Sequence, residues 1–261
     1  MFQTLIRNAA VKLFGLVAKL GIESPLFDRI FLALYTLYKR HLEAGPIDRL
    51  REFVSYGSVV IDVGANVGFF SLRFATWVGN KGEVISIEPE DRNYEKLISM
   101  LKRERLLSRV RALKAVAAAV PGKMFLEINP LHPADHKLSR DGTGLRVDAI
   151  ALDDLIPDKS PLRPCLVKID VQGAEMLVLE GATEILKVAK PALFVELHEE
   201  GLKKFGTSVS AILTHLSQYD YEPYWLMRVG RHRKASPSEI YAEVARIGYV
   251  DVLFLTAHPG D

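Results

Sequence analysis

The stretch "VVIDVGANVGFF", Val59 to Phe70, decides how the chain is read. An apolar block runs into Asp62, Gly64, Asn66 and Gly68 at every second position, then into a pair of aromatics. A continuous Val/Ile run is the pattern of a strand buried on both faces, and the small residues after it mark a tight turn into a helix. Four more blocks follow: "GEVISIEP", "RVRALKAVAAA", "CLVKIDVQ" and "PALFVELH". Between them lie segments of helical character, "GFFSLRFATWV", "NYEKLISMLKRERL" and "AEMLVLEGATEILKVA". Strands alternating with helices predict an α/β fold, a mostly parallel sheet with helices on both faces. "KMFLEINP" and "GLRVDAIALDDLI" read as a hairpin-like excursion, and the loop around "LHPADHKLSRDGTG" is expected to border a substrate site. "EPYWLMRVG" and "YVDVLFLTAHP" supply two last strands around the charged loop "RHRKASPSE".

The chain has 261 residues, 49% of them hydrophobic, enough for a large core. A net charge of +2 argues against a dedicated nucleic-acid binder and favours a small or neutral substrate. The single cysteine, Cys165, forms no intramolecular disulfide and reads as a small buried hydrophobe in a reducing, cytoplasmic setting. No run reaches the roughly 20 apolar residues of a membrane span. Residues 1–48 read as a helical extension and 49–261 as the main domain. In the extension, Phe2, Leu5, Ile6, Ala9, Leu13, Leu16, Val17 and Leu20 recur at helical spacing with Arg7, Lys12 and Lys19 between them. Lys12 and Lys19 interrupt the apolar stretch, which is therefore expected to be retained rather than cleaved as a signal. Two readings stay open: a helix packed on the domain or on a partner subunit, which leads, and peripheral membrane contact through residues 1–20. A second helix is expected over residues 25–43.

Ligands of open parallel sheets bind outside the carboxyl ends of the strands, so the polar residues finishing each block carry the chemistry. Gly64 and Gly68 let the backbone turn tightly beside a ligand, and the next helix aims its amino-terminal N–H groups there. Glu88 stands twenty residues after Gly68, placed to take both hydroxyls of a ribose. "GANVG" has Asn66 at the middle glycine of a dinucleotide fingerprint and no third glycine in register, which disfavours a nicotinamide cofactor. No G-K-S/T ending is present, so a P-loop is excluded. A ribose-bearing ligand without phosphate remains, and S-adenosyl-L-methionine meets that description.

Together, "VIDVGANVGFFSL", "ISIEPE", "VDAIALDDL", "VKIDVQGAEMLVLEGA" and "FVELHE" resemble the FkbM-type family of S-adenosylmethionine-dependent methyltransferases, from about Val54 to the end. The resemblance implies a class I methyltransferase, Rossmann-like, with a seven-stranded sheet whose last strand is reversed, methylating oxygen and often a sugar hydroxyl. It marks Asp62, Gly64, Asn66 and Gly68 as the cofactor turn, Glu88 as the ribose ligand, and Ala115 to Ala118, with Ala117 among them, as the adenine neighbourhood. Related sequences often carry Glu where this chain has Gln172, and a neutral amide there hydrogen-bonds without holding a proton.

"VKIDVQGAE" places Lys168, Asp170, Gln172 and Glu175 at one strand end, more polar groups than capping by Asp170 or Gln172 explains. "VELHEE" puts Glu196 and His198 on one side of their strand. A hydroxyl attacks a sulfonium methyl well only as its proton leaves, so His198 is assigned as general base. Asp170 or Glu196 orients it or binds the acceptor; Lys168 stabilises oxyanion character or pairs with a carboxylate; Gln172 and Glu175 contact substrate. A divalent ion on Asp170, Glu196 and His198 ranks second to a metal-free site. In "LDDL", Asp154 is expected to begin a helical turn, and neither Asp153 nor Asp154 to catalyse; "RHRK" and "LKRER" are expected to be solvated surface. The expected activity is O-methylation of a saccharide or related metabolite, with a small-molecule or glycan acceptor and no nucleic-acid partner. The rivals are an RNA or protein methyltransferase with the same cofactor half and a noncatalytic membrane-surface module retaining the fold.

Overall fold

The computed structural model describes residues 47–129, 136–139, 141–156, 163–227 and 229–256. Both helices expected before residue 47 lie outside the described residues, as does part of the excursion loop.

The strands are β1 (Val59–Val63), β2 (Glu83–Ile87), β3 (Val110–Leu113), β4 (Val116–Ala117), β5 (Gly122–Glu127) and β6 (Lys137–Leu138). They continue with β7 (Leu145–Ile150), β8 (Pro164–Ile169), β9 (Ala192–Leu197), β10 (Tyr221–Trp225), β11 (Arg233–Lys234) and β12 (Val250–Thr256). The α-helices are α1 (Phe69–Trp77), α2 (Asp91–Arg103), α3 (Glu175–Glu180), α4 (Glu199–Lys204), α5 (Val209–Ser217) and α6 (Pro237–Ile247). The main sheet runs β11-β10-β12-β9-β8-β1-β2-β3. From β9 to β3 neighbours are parallel, while β12 is antiparallel to both β9 and β10. This is the α/β architecture of class I methyltransferases, reversed strand included. The sheet has eight strands rather than seven, because β11 extends the edge by a two-residue pairing with β10.

Cover on both faces explains why the inner strands are mostly apolar, with buried Asp62, Ser86 and Lys168 standing near their carboxyl ends. Val60, Val84, Leu166 and Phe194 pack on one face with Phe70 and Phe74 of α1 and Leu97 and Leu101 of α2. Ile61, Ile85, Val167 and Val195 pack on the other with Val178 of α3, Ile212 of α5 and Ile240 of α6. Each fully buried side chain of this kind contributes about 1.5–3 kcal/mol. Phe69 and Phe70 are core residues in edge-to-face contact.

"RVRALKAVAAA" is not one strand. β3 stops where its partner β2 stops, at the Ile87–Leu113 pairing and the Glu88 N–H to Leu113 carbonyl bond, and the chain crosses to another sheet. That sheet, ordered β4-β7-β5-β6, contains the expected β5–β7 hairpin and adds a strand on each side.

The long helical segment after β8 is broken as well. α3 ends at Glu180, and a wide helical turn covers Ile185–Ala189. At the break, a Cβ on Gly181 would lie 2.1 Å from the Ala118 carbonyl oxygen. Asp153, not Asp154, supplies the cap, and for this distant turn rather than its own: its carboxylate accepts from the Glu184 and Ile185 N–H groups at 2.9 Å.

Gly181→Ala is expected to force the α3 end off the second sheet and lower the unfolding free energy by about 1–3 kcal/mol. Gly122→Ala, with nothing within 4 Å of the new Cβ, should change it by less than about 0.5 kcal/mol. Urea denaturation of both variants checks the difference.

Candidate functional site

The strand order turns outward in both directions from β1 and β8, so the crevice beyond their carboxyl ends is the topological switch point. Pairing there places Ser86, Asp62 and Lys168 side by side on β2, β1 and β8. All three are buried. Ser86 Oγ donates to Ser71 Oγ at 2.8 Å, and Ser71 Oγ donates to Asp62 Oδ2 at 2.6 Å. Asp62 Oδ1 is buried without a hydrogen bond, 3.5 Å from the Lys168 ammonium. Lys168 in turn donates to the Val63 and Gly64 carbonyls at 3.2 and 2.8 Å and lies 3.6 Å from Asp170 Oδ2.

The turn after β1 needs its small residues for stated reasons. Gly64 has φ +75, and a Cβ there would lie 1.9 Å from the Asp170 carbonyl oxygen, so only glycine lets the β1 and β8 ends approach. Gly68, φ +95, leads into α1, and a Cβ on it would press Leu97 at 2.7 Å. Asn66, φ 50, takes the left-handed conformation its short amide tolerates. Its N–H donates to Glu88 Oε2 at 2.8 Å, and its side-chain oxygen accepts from the Val67 N–H at 2.7 Å.

Glu88 follows β2 and accepts the Glu90 N–H at 3.1 Å with its other oxygen. Burial pushes its carboxyl up to about 7, against the pull of the two amides. Two neighbours here escaped the sequence reading. Glu90 caps α2 by accepting the Asn93 N–H, and His136 comes in from the second sheet with Nε2 3.9 Å from Glu90 Oε2. His136 Nδ1 accepts the Asn129 N–H, so the neutral ring carries its proton on Nε2, facing Glu90. Ala117 sits on the seam between sheets: Ala115 and Ala117 face the main core, Val116 and Ala118 the second.

On the β8 and β9 side, Asp170 and Glu196 are half-buried and Gln172 joins them, its Nε2 donating to Asp170 Oδ1 and Glu196 Oε2 at 2.9 Å each. Neither Asp170 nor Gln172 caps α3; Glu175 closes the turn, accepting the Gly173 and Val171 N–H groups at 3.0 and 3.3 Å with Oε1. Its side chain is fully buried, Oε2 has no hydrogen bond, and burial pushes the carboxyl up to about 7. His198 lies one residue beyond β9 at the start of α4, half-buried, with Nδ1 3.0 Å from where a Gly201 Cβ would stand. Among the described residues no group of three His, Cys, Asp or Glu side chains is arranged to hold a metal ion; the Gln172 amide lies between two of the carboxylates considered for one. The basic clusters are partly neutralised, Arg233 by Glu239, Lys234 by Glu222 and Arg103 by Glu104.

Glu88 and Glu175 bind protons in the native state between about pH 4.5 and 7, where the unfolded chain has released them. Their contribution to stability is present in full below the unfolded value and is lost as pH rises through about 7. Urea midpoints measured from pH 5 to 8 should therefore decline and level off above 7, and Glu88→Gln and Glu175→Gln should each flatten the decline.

Residues 62–223 match the family model described as the Methyltransferase FkbM domain. The hexuronic acid methyltransferase AglP of Haloferax volcanii is 28% identical over 157 residues, 60% of this chain and 62% of that protein. Methyltransferase sdnD of Sordaria araneosa is 27% identical, covering 48% of this chain and 60% of its own. The chain thus spans about three fifths of the length of each of these relatives. A crystal structure of an FkbM methyltransferase from Methylobacillus flagellatus has 18% identity and a TM-score of 0.48, covering 96% of this chain and 60% of that one. With the family model spanning more than half of its length and the switch-point motifs inside the match, the chain belongs to the FkbM methyltransferase family.

Proposed function

We propose that the protein is an S-adenosyl-L-methionine-dependent O-methyltransferase acting on a hydroxyl of a saccharide or related metabolite. The observation that carries the reading is Glu88 at the β2 end with the Gly64–Gly68 turn folded against it, beside a buried Asp62 oxygen that has no hydrogen bond. This donor set fits the cofactor. Each Glu88 oxygen accepts one amide and keeps acceptor capacity for a ribose hydroxyl. Asp62 Oδ1 suits the ammonium of the cofactor's amino-acid end, and the Ala115–Ala118 seam suits the adenine. When bound, the cofactor supplies an electrophilic sulfonium methyl.

The chain's own residues prepare the acceptor. His198 takes the hydroxyl proton as general base, and Asp170 and Glu196 orient it or hold the acceptor. Lys168, engaged by two carbonyls and two carboxylates, steadies the turn and balances their charge. The saccharide acceptor is supported by the family and by AglP, a relative named for hexuronic acid. A cytoplasmic protein with a glycan or small-molecule partner and no nucleic acid completes the reading. Among the described residues no helix is long and apolar enough to cross a membrane.

Calorimetry should show S-adenosylhomocysteine binding that Glu88→Ala weakens at least tenfold; a folded wild-type sample that binds neither this compound nor the cofactor refutes the proposal. In a labelled-methyl assay offering glycans, RNA and protein in parallel, label should enter the glycans. His198→Ala should then lower kcat by about 10²–10⁴-fold while leaving cofactor affinity unchanged.

A further inference from the structure

Gln172 adopts φ 56 in the turn after β8, a strained conformation for a residue with a side chain. Its amide nitrogen donates to two carboxylates brought from the ends of neighbouring parallel strands, Asp170 after β8 and Glu196 in β9. An NH2 group has two hydrogens and no acceptor capacity, so one goes to each carboxylate. The orientation is dictated by chemistry, since the reversed amide would set its oxygen against both anions. Two ionised carboxylates within twice a hydrogen-bond length repel each other and persist there only with a donor or cation between them. The Gln172 backbone carbonyl oxygen lies 3.2 Å from the place of a Gly201 Cβ, the same place that His198 Nδ1 approaches at 3.0 Å, so the turn that carries Gln172 packs beside His198.

We infer that Gln172 is a positioning residue rather than a substrate contact: its amide bridges Asp170 and Glu196 as a divalent cation would, fixing their spacing beside His198. The inference rests on the reading of the β8 and β9 ends as the acceptor side. A glutamate at 172 would bring three carboxylates around one point, and three such groups gather a cation.

Manganese(II) alone is the probe, followed by electron paramagnetic resonance on the full chain. Gln172→Glu should bind one Mn²⁺ at least tenfold more tightly than wild type, and adding Glu196→Gln should abolish the gain. Equal affinity in Gln172→Glu and wild type, or a gain that survives Glu196→Gln, overturns the inference. S-adenosylhomocysteine binding by the wild type tests the methyltransferase reading separately, so the two can fail independently. Should Gln172→Glu not fold, NMR of the wild type decides. Its Gln172 side-chain NH2 protons should both resonate downfield of free amides, one returning in Glu196→Gln, and a free-amide position for both overturns the inference.

Discussion

The Lys168 ammonium is the interaction on which the rest of the site depends. It is buried on β8, in register with Asp62 on β1, and it donates to the carbonyls that end β1. A buried charge is tolerated only when paired and hydrogen-bonded, and removing one partner of such a pair costs about 3–5 kcal/mol. Lys168 meets both conditions at once: Asp62 and Asp170 balance it, and two carbonyls take its protons. The Val63 carbonyl also accepts the Asp170 N–H at 3.2 Å, and the Gly64 carbonyl follows it in the turn. The lysine therefore ties the Gly64–Gly68 turn to the strand that delivers Asp170 and Gln172.

The sheet was legible because its inner strands are buried on both faces and so are written as largely apolar blocks. Where that condition lapses, reading falters. "RVRALKAVAAA" reads as one block, yet β3 and β4 belong to different sheets, because β3 stops where its partner β2 ends. α6 carried a complete local signature, Ser236, Pro237 and Glu239 forming a capping box, within a loop whose charge drew attention instead. The break at Gly181 depends on Ala118, far away in sequence, and no local pattern announces it.

Asp62, Glu88, Lys168, Asp170, Glu196 and His198, expected at strand ends, all stand at the carboxyl edge of the main sheet. Ser71, Ser86, Glu90 and His136 were missed. Ser86 did have a signal, being a polar residue inside an apolar strand, two residues before Glu88. His136 lay within the loop expected to border a substrate site, whereas Ser71 had no signal, since only packing brings it to Asp62 and Ser86.

Counting carboxylates in sequence also overstates the chemistry, for a physical reason visible at every loop of this edge. A strand that stops leaves amide donors unpaired, and a buried N–H must find an acceptor. Glu88 accepts from Asn66 and Glu90, Glu175 from Val171 and Gly173, and Asp153 from Glu184 and Ile185. Each carboxylate closes a loop, yet they differ in what remains. Asp153 spends both oxygens on one distant turn. Glu175 turns one oxygen into its own loop and buries the other without a hydrogen bond. Glu88 takes its two amides from two different loops, one leaving β1 and one leaving β2. It is therefore the carboxylate that ties the two loops to each other, and with them both walls of the crevice.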